Sequence, residues 1–241
     1  MSMGYPRFPE TPTHGRALSV AATADLPSLA RPALAAPAQR GLYRRLAKRM
    51  LDVTAVVLAA PVVVPLIAGL ALAVRRDGGS PFYTQFRVGR GGRTFRMWKL
   101  RTMVVDADAR MAAYLDANPE ARREWELTQK LRDDPRITPF GRFLRKSSLD
   151  ELPQLWNVLT GDMSLVGPRP MMLSQRGLYP SGSYYRLRPG ITGYWQTAGR
   201  HKTTFAARAE FDDAYDRDLS LATDLRVLGR TVGVVVRGTG C

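Results

Sequence analysis

Residues 53–74 form 22 consecutive positions without a charge, VTAVVLAAPVVVPLIAGLALAV. As one unbroken helix the run would extend about 33 Å at about 1.5 Å per residue, which matches a bilayer hydrocarbon core about 30 Å thick. A membrane segment is therefore the first reading. Pro61 and Pro65 stand in its middle; each removes an amide donor and obstructs the carbonyl four residues back, so a kink or break is expected there. Both flanks are cationic, with Arg40, Arg44, Arg45, Lys48 and Arg49 before the run and Arg75 and Arg76 after it. The positive charge that marks the cytoplasmic end of a span then favours neither end. A hairpin that enters one leaflet, turns near Pro61 and leaves on the same side reconciles these facts, since each arm of about 12 residues reaches only about 18 Å. A kinked helix crossing the bilayer accommodates them too, and a helix buried in a protein core is a third solution. The residues alone leave hairpin and span open.

The rest of the chain carries a large positive charge. Among 241 residues, 36 Lys and Arg stand against 21 Asp and Glu, a formal net charge of +15. Such an excess needs an anionic partner: nucleic acid, an acidic membrane surface or a phosphorylated substrate. The uncharged segment opposes the first, so no nucleic acid partner is expected. With 45% hydrophobic and 24% charged residues the composition is globular, which excludes disorder throughout. The single Cys241 forbids an intrachain disulfide, and two histidines, His14 and His201, leave too few soft ligands for zinc. A participating metal should be a hard, oxygen-bound cation such as Mg²⁺. Residues 1–39 are rich in Pro and Ala without periodicity and read as a disordered tail.

Beyond the segment, residues 81–88 and 94–102 are strand-like and aromatic, and the intervening GRGGR is a hairpin signal. Alternate residues of a strand share a face, so Lys99 and Arg101 are expected to converge as a phosphate site requires. An exposed hairpin edge that resists aggregation accounts for the same two cations. Residues 103–133 read as two helices, the second opening at Asn118-Pro119-Glu120. A stripe of Leu221, Leu225, Leu228 and Val232 marks a C-terminal helix suited to packing on the core or lying on a membrane surface.

The section 133–169 is the most informative. Arg136, Arg142, Arg145, Lys146 and Arg169 surround the adjacent acids Asp150 and Glu151, which precede an apolar helical run. Ser148 with Glu151 forms a capping-box pattern, and Asp150 is an alternative cap that suits Pro153 better; either explains the acids structurally. A cap needs no five neighbouring cations, and that surplus favours an anion site. A carboxylate can attack phosphorus and form an acyl phosphate, provided that cations offset its repulsion from the phosphates. No Walker loop or protein-kinase motif set is present, so ATP-driven transfer has no support.

These residues belong to a longer series: KLRTM at 99–103, DPRIT at 134–138, GRFLR at 141–145, SLDELPQ at 148–154, GDMSLVGPRP at 161–170, and PGITG at 189–193 with Trp195 and Gln196. Over nearly everything except the tail, the chain resembles the bacterial sugar transferases, the small monotopic phosphoglycosyl transferases that prime exopolysaccharides and related glycans. The resemblance implies transfer of a sugar 1-phosphate from a UDP-sugar to undecaprenyl phosphate, release of UMP, Mg²⁺ dependence, and a re-entrant helix in the inner membrane. It thereby favours the hairpin. Asp150 is the implied nucleophile and Glu151 the implied Mg²⁺ ligand; Lys99, Arg145 and Arg169 are implied phosphate contacts, with Arg101, Arg136 and Asp224 as weaker transfers. The Pro168-Arg169-Pro170 loop is the implied nucleotide contact. Some members have Ser-Pro at the membrane kink where this chain has Ala60-Pro61, so the kink here rests on Pro61 and Pro65.

The expected architecture is α+β: a tail at 1–39, a basic flank and re-entrant membrane helix hairpin at 40–76, and a mostly helical cytoplasmic catalytic domain with a short β-hairpin at 77–241. The sugar, with galactose or glucose favoured, and any homo-oligomer are left open.

Overall fold

A computed structural model describes residues 41–128, 131–198 and 205–236; the expected tail at 1–39, Arg40, His201 and Cys241 lie outside them. The apolar segment forms helix α1 (Lys48–Arg75), preceded by a π-helical turn, Tyr43–Ala47. Together they are long and apolar enough to cross a membrane. The expected turn near Pro61 is absent: α1 is helical through Pro61 and Pro65, one element rather than two antiparallel arms. Their spacing supplies the reason. Four residues apart, the two prolines deprive the carbonyls of Val57 and Pro61 of donors on one side of the helix, and both prolines are exposed. The remaining hydrogen-bond ladder carries the helix past them.

Both ends of α1 are tied to the same body. At the N-terminal end Tyr43 and Lys48 each donate to Asp224 at 2.6 Å, and Arg44 donates to Asp216 at 2.6 Å. Asp52, 1% exposed, accepts from Ser164 Oγ at 2.7 Å and from the Leu165 amide at 3.2 Å. At the C-terminal end Ala71 and Val74 pack with Leu100 and Leu144, and the Val74 carbonyl accepts from Arg101. Between these anchors Leu58 and Val62 are 75% and 73% exposed. A soluble protein rarely leaves so continuous an apolar surface in water.

The predicted hairpin is formed by β1 (Phe82–Val88) and β2 (Thr94–Leu100), antiparallel, with Phe82 opposite Leu100 and Val88 opposite Thr94. Gly91 and Gly92 take φ of 69° and 78° in the turn, a region open to glycine without strain. Helices α2 (Ala107–Ala117) and α3 (Pro119–Thr128) follow, the second opening at Pro119 as expected. Helix α4 (Pro139–Ser147) starts at Thr138, whose hydroxyl accepts from the Gly141 amide at 2.8 Å. A 3₁₀ turn, Leu149–Glu151, then leads into α5 (Gln154–Thr160). Neither Ser148 nor Asp150 caps α5. Ser148 is instead the left-handed C-cap of α4, φ 57°, with its amide bonded to the Arg145 carbonyl, and Pro153 directly precedes α5.

Asn157 of α5 clamps the hairpin: its Oδ1 accepts from the Trp98 amide at 3.0 Å and its Nδ2 donates to the Arg96 carbonyl at 2.7 Å. Val56, Phe95, Met97, Val158 and Met163 fill the space between α1, β2 and α5. Strand β3 (Ser164–Val166) then pairs in parallel with β4 (Gly190–Thr192), which follows the short helix α6 (Ser183–Arg186). A Cβ on Gly190 would come within 2.1 Å of the Gly167 amide nitrogen, so this close crossing requires glycine. Helices α7 (Tyr194–Ala198), α8 (Arg208–Asp218) and α9 (Leu221–Val236) complete an α+β fold. In α9 the inward face is Thr223, Asp224 and Val227, whereas Leu221, Leu225 and Val232 of the predicted stripe point outward.

Candidate active site

The C-terminal end of β2 meets the turn before α5. There Lys99 Nζ lies 2.9 Å from Glu151 Oε1 and 3.4 Å from Asp150 Oδ2, so one ammonium bridges the two acids. Asp150 is 7% exposed. Burial lifts its carboxyl above the usual carboxylate range and the Glu151 charge adds to the lift, while Lys99 and Arg145 pull downward without cancelling it. Arg145 reaches the site from α4 and is steadied by its Nε bond to Thr102 Oγ1 at 2.9 Å. A Cβ on Gly141 would come within 2.0 Å of the Thr102 carbonyl oxygen, so α4 lies directly on the strand exit.

Arg169 stands between Pro168 and Pro170 with its guanidinium 5.8 Å from the Trp195 ring centroid, a cation–π arrangement. Pro168 is buried, and its carbonyl accepts from the Gly190 amide at 2.8 Å, which fixes the loop to β4. The prolines hold the backbone, and Arg169 supplies the loop's charge.

Sequence reasoning missed Arg87. On β1 it shares a face with Tyr83, which stands opposite Lys99 in the hairpin register. Its guanidinium loses proton affinity through burial and through Arg169, and the Glu151 charge counters that loss. Nη2 donates to Gln85 Oε1 at 2.5 Å, and the buried Nε has no hydrogen-bond partner. The strand alternation that singled out Lys99, extended across the hairpin, would have found it.

Two expected contacts lie elsewhere. Arg101 does not converge with Lys99: it bonds both carboxylate oxygens of Asp77, at 2.7 and 2.5 Å, together with the carbonyls of Ser80, Met103 and Val74. It lies one residue beyond β2, where strand alternation no longer sets direction, and it closes the C-terminal end of α1. Arg136 is held by Asp134 at 2.9 and 2.6 Å and lies over Trp125. The charge is satisfied there rather than at the acids. Arg142 and Lys146 are exposed, so the expected ring of cations around the dyad reduces to Lys99 and Arg145, with Arg87 in electrostatic reach of Glu151 and, on its other side, of Arg169. Asp224 belongs to the anchor of α1.

Among the described residues no three His, Cys, Asp or Glu side chains cluster. Asp150 and Glu151 are nevertheless adjacent oxygen donors that already share one cation, Lys99. Such a pair suits a hard cation that takes its other ligands from phosphate oxygens and water.

The bacterial sugar transferase family matches residues 43–238, which takes in every element from the π-helical turn through α9. The chain belongs to the bacterial sugar transferase family. It is 42% identical over 210 residues to exopolysaccharide production protein ExoY of Sinorhizobium fredii, covering 85% of this chain and 93% of that one. It is 43% identical over 198 residues to the UDP-galactose-lipid carrier transferase of Erwinia amylovora and to the undecaprenyl-phosphate galactose phosphotransferase of Salmonella typhimurium, covering 81% of this chain and 42% of each relative. The chain thus spans less than half the length of these last two curated relatives. The family match takes in α1 together with the domain that carries the dyad, so the apolar helix belongs to the family's own unit.

Proposed function

We propose that this bacterial sugar transferase moves a sugar 1-phosphate from a UDP-sugar to undecaprenyl phosphate and releases UMP, priming an exopolysaccharide or related glycan. The observation that carries the reading is Asp150, a buried carboxylate joined to Glu151 through Lys99 and within the electrostatic reach of Arg145. A desolvated carboxylate of raised proton affinity is a better nucleophile than an exposed one. The relatives' names, a UDP-galactose-lipid carrier transferase and an undecaprenyl-phosphate galactose phosphotransferase, support the donor and acceptor classes.

In the first step an Asp150 carboxylate oxygen attacks the sugar-bearing phosphorus. The bond from that phosphorus to the bridging oxygen breaks, UMP leaves with the electron pair, and a phosphosugar remains on Asp150. An oxygen of undecaprenyl phosphate then attacks the same phosphorus and frees the carboxylate. Lys99, Arg145 and Arg169 offset the charge of the incoming phosphates, and Glu151 with Asp150 would hold Mg²⁺. When bound, Mg²⁺ supplies further neutralisation of phosphate charge.

The lipid acceptor places demands on α1. Its two ends pack on the same domain, so a bilayer cannot separate them, while its exposed middle offers an apolar surface to one leaflet. Those facts support a chain that dips into one leaflet without crossing the bilayer, and the proposed leaflet is the cytoplasmic one of the inner membrane. The outward apolar stripe of α9 is a second surface for the same leaflet.

The test is mass spectrometry of the full chain incubated with a UDP-sugar and no acceptor. A phosphosugar should appear on Asp150 with about one equivalent of UMP, and Asp150→Asn should show neither. Label on another residue would reassign the nucleophile, and UMP release only when the acceptor is bound would replace two steps with direct transfer. EDTA should stop UMP release and Mg²⁺ should restore it. A panel of UDP-sugars, glucose and galactose first, identifies the donor.

A further inference from the structure

A second cationic cleft opens at the far end of α5 from the dyad. Its walls are the hairpin tip at residues 89–95, Gly161 and Asp162 just past α5, and Arg44, Tyr185, Arg186 and Arg188; it encloses about 750 Å³. The dyad precedes the N-terminal end of α5, and Lys99 stands at the open end of the hairpin. The cleft follows the C-terminal end of α5 and lies at the closed end of the hairpin. Neither acid of the dyad lines it, nor does Lys99, Arg145 or Arg169.

Five arginines face one acid here, Arg44, Arg90, Arg93, Arg186 and Arg188 against Asp162. Arg44 and Arg186 are committed to Asp216 behind the wall, each at 2.6 Å, and Arg188 Nε donates to the Gly161 carbonyl at 2.9 Å. The guanidinium groups of Arg90 and Arg93 make no hydrogen bond or ion pair with the described residues. Burial, and then the neighbouring charges of Arg90 and Arg49, lower the proton affinity of Arg188 while Asp52 partly offsets them, so Arg188 and Arg90 repel each other across the cleft. The volume falls within the range of small-molecule sites. Arg90 and Arg93 are exposed at the hairpin tip and Arg186 and Arg188 are half-buried opposite them, so cations from the tip and from the segment before β4 line a common hollow. An anion in the hollow relieves the repulsion and offers acceptors to planar guanidinium donors.

We propose that this cleft is a second, non-catalytic anion site that binds a ligand bearing at least two phosphate charges, bridged between the hairpin tip and Arg188. The inference is independent of the proposed reaction. Two sources carry that chemistry, a soluble phosphorylated compound and the headgroups of anionic phospholipids, and the experiment separates them.

The full chain in neutral detergent is titrated calorimetrically with inorganic pyrophosphate. Two classes of binding are expected, one at the dyad and one at the cleft. The variant Arg90→Gln/Arg93→Gln, which touches no side-chain bond of the fold, should weaken one class about tenfold or more. Thr94→Glu, which adds an acid to the same wall by an independent route, should do likewise, whereas Lys99→Met should spare that class. The titration is then repeated in nanodiscs of phosphatidylcholine with and without phosphatidylglycerol. Loss of the cleft class only with phosphatidylglycerol assigns it to lipid headgroups, and retention in both assigns it to a soluble ligand. The proposal is overturned if the double variant and Thr94→Glu bind pyrophosphate as the wild type does, or if the wild type shows a single class that Lys99→Met abolishes.

Discussion

Lys99 donates to Glu151 across 2.9 Å, and this contact joins the inner face of the hairpin to the turn that carries both acids. Because the same ammonium also reaches Asp150, it is the nearest cation opposing the effect of burial on that carboxyl.

Replacing Lys99 should therefore do more than weaken phosphate binding. In Lys99→Met the Asp150 carboxyl keeps its burial and its Glu151 neighbour but loses its principal counter-charge, so its proton affinity rises further. As the proposed nucleophile Asp150 must be ionised, which means that activity falls as pH drops through the Asp150 pKa. The acid limb of the kcat/KM profile should move to higher pH, and kcat/KM on the plateau should fall by roughly a hundredfold or more. An unshifted acid limb would show that Lys99 acts only on substrate.

Arg87 went unmarked in the sequence, and its buried, unpartnered Nε, within electrostatic reach of Glu151 and Arg169, points to a role beyond packing. Arg87→Gln should raise KM for the UDP-sugar and lower kcat/KM by roughly 10- to 100-fold. Arg87→Lys should recover little, because a single ammonium reproduces neither the fork nor the bond to Gln85. Wild-type kinetics in the glutamine variant, with the fold verified by its melting curve, would confine Arg87 to a structural part.

The difference between Arg87 and Arg101 shows where sequence was legible. Alternation put Lys99 on the face that meets Asp150 and Glu151 because β2 is regular through Leu100, and the hairpin and the start of α3 followed from equally local signals at Gly91 and Pro119, whereas the expected cap of α5 at Ser148 or Asp150 did not form. Arg101 lies one residue past the strand, where direction is set by Asp77 and the end of α1, partners that no spacing rule supplies. Arg136 was misplaced for a related reason: Asp134, two residues away, captures it before it can reach the dyad. The continuous helix through Pro61 was hidden because proline propensity describes a lost donor, not whether the rest of a 28-residue helix can span the defect.

The anchoring of α1 makes a topological prediction. In a background with Cys241→Ser, single cysteines at Leu42 and Arg76, both exposed and flanking α1, should react with a membrane-impermeant maleimide from the same side of sealed vesicles. The reactive side should be the cytoplasmic one. A crossing helix would expose them on opposite sides, and that labelling pattern would contradict the bonds that tie both ends to one domain.

Asp212 gives a test of stability apart from catalysis. It sits in α8, accepts from the Tyr179 hydroxyl and neighbours Asp213, and burial above all pushes its carboxyl up to about 7 from 3.8. The folded chain therefore holds a proton at Asp212 that the unfolded chain has already released near neutral pH. The stability associated with this proton is complete below pH 3.8 and is lost as pH rises through about 7. The loss is on the order of 2–4 kcal/mol for so buried a group. Asp212→Asn keeps an oxygen for Tyr179 and cannot titrate, so its melting temperature in detergent should vary less between pH 5 and pH 8 than that of the wild type. At pH 8 the variant should be the more stable protein, because it no longer carries a buried carboxylate. Parallel pH profiles for the two proteins would show that Asp212 is ionised in the folded state throughout, with its charge offset by groups such as Arg208, which pulls in that direction.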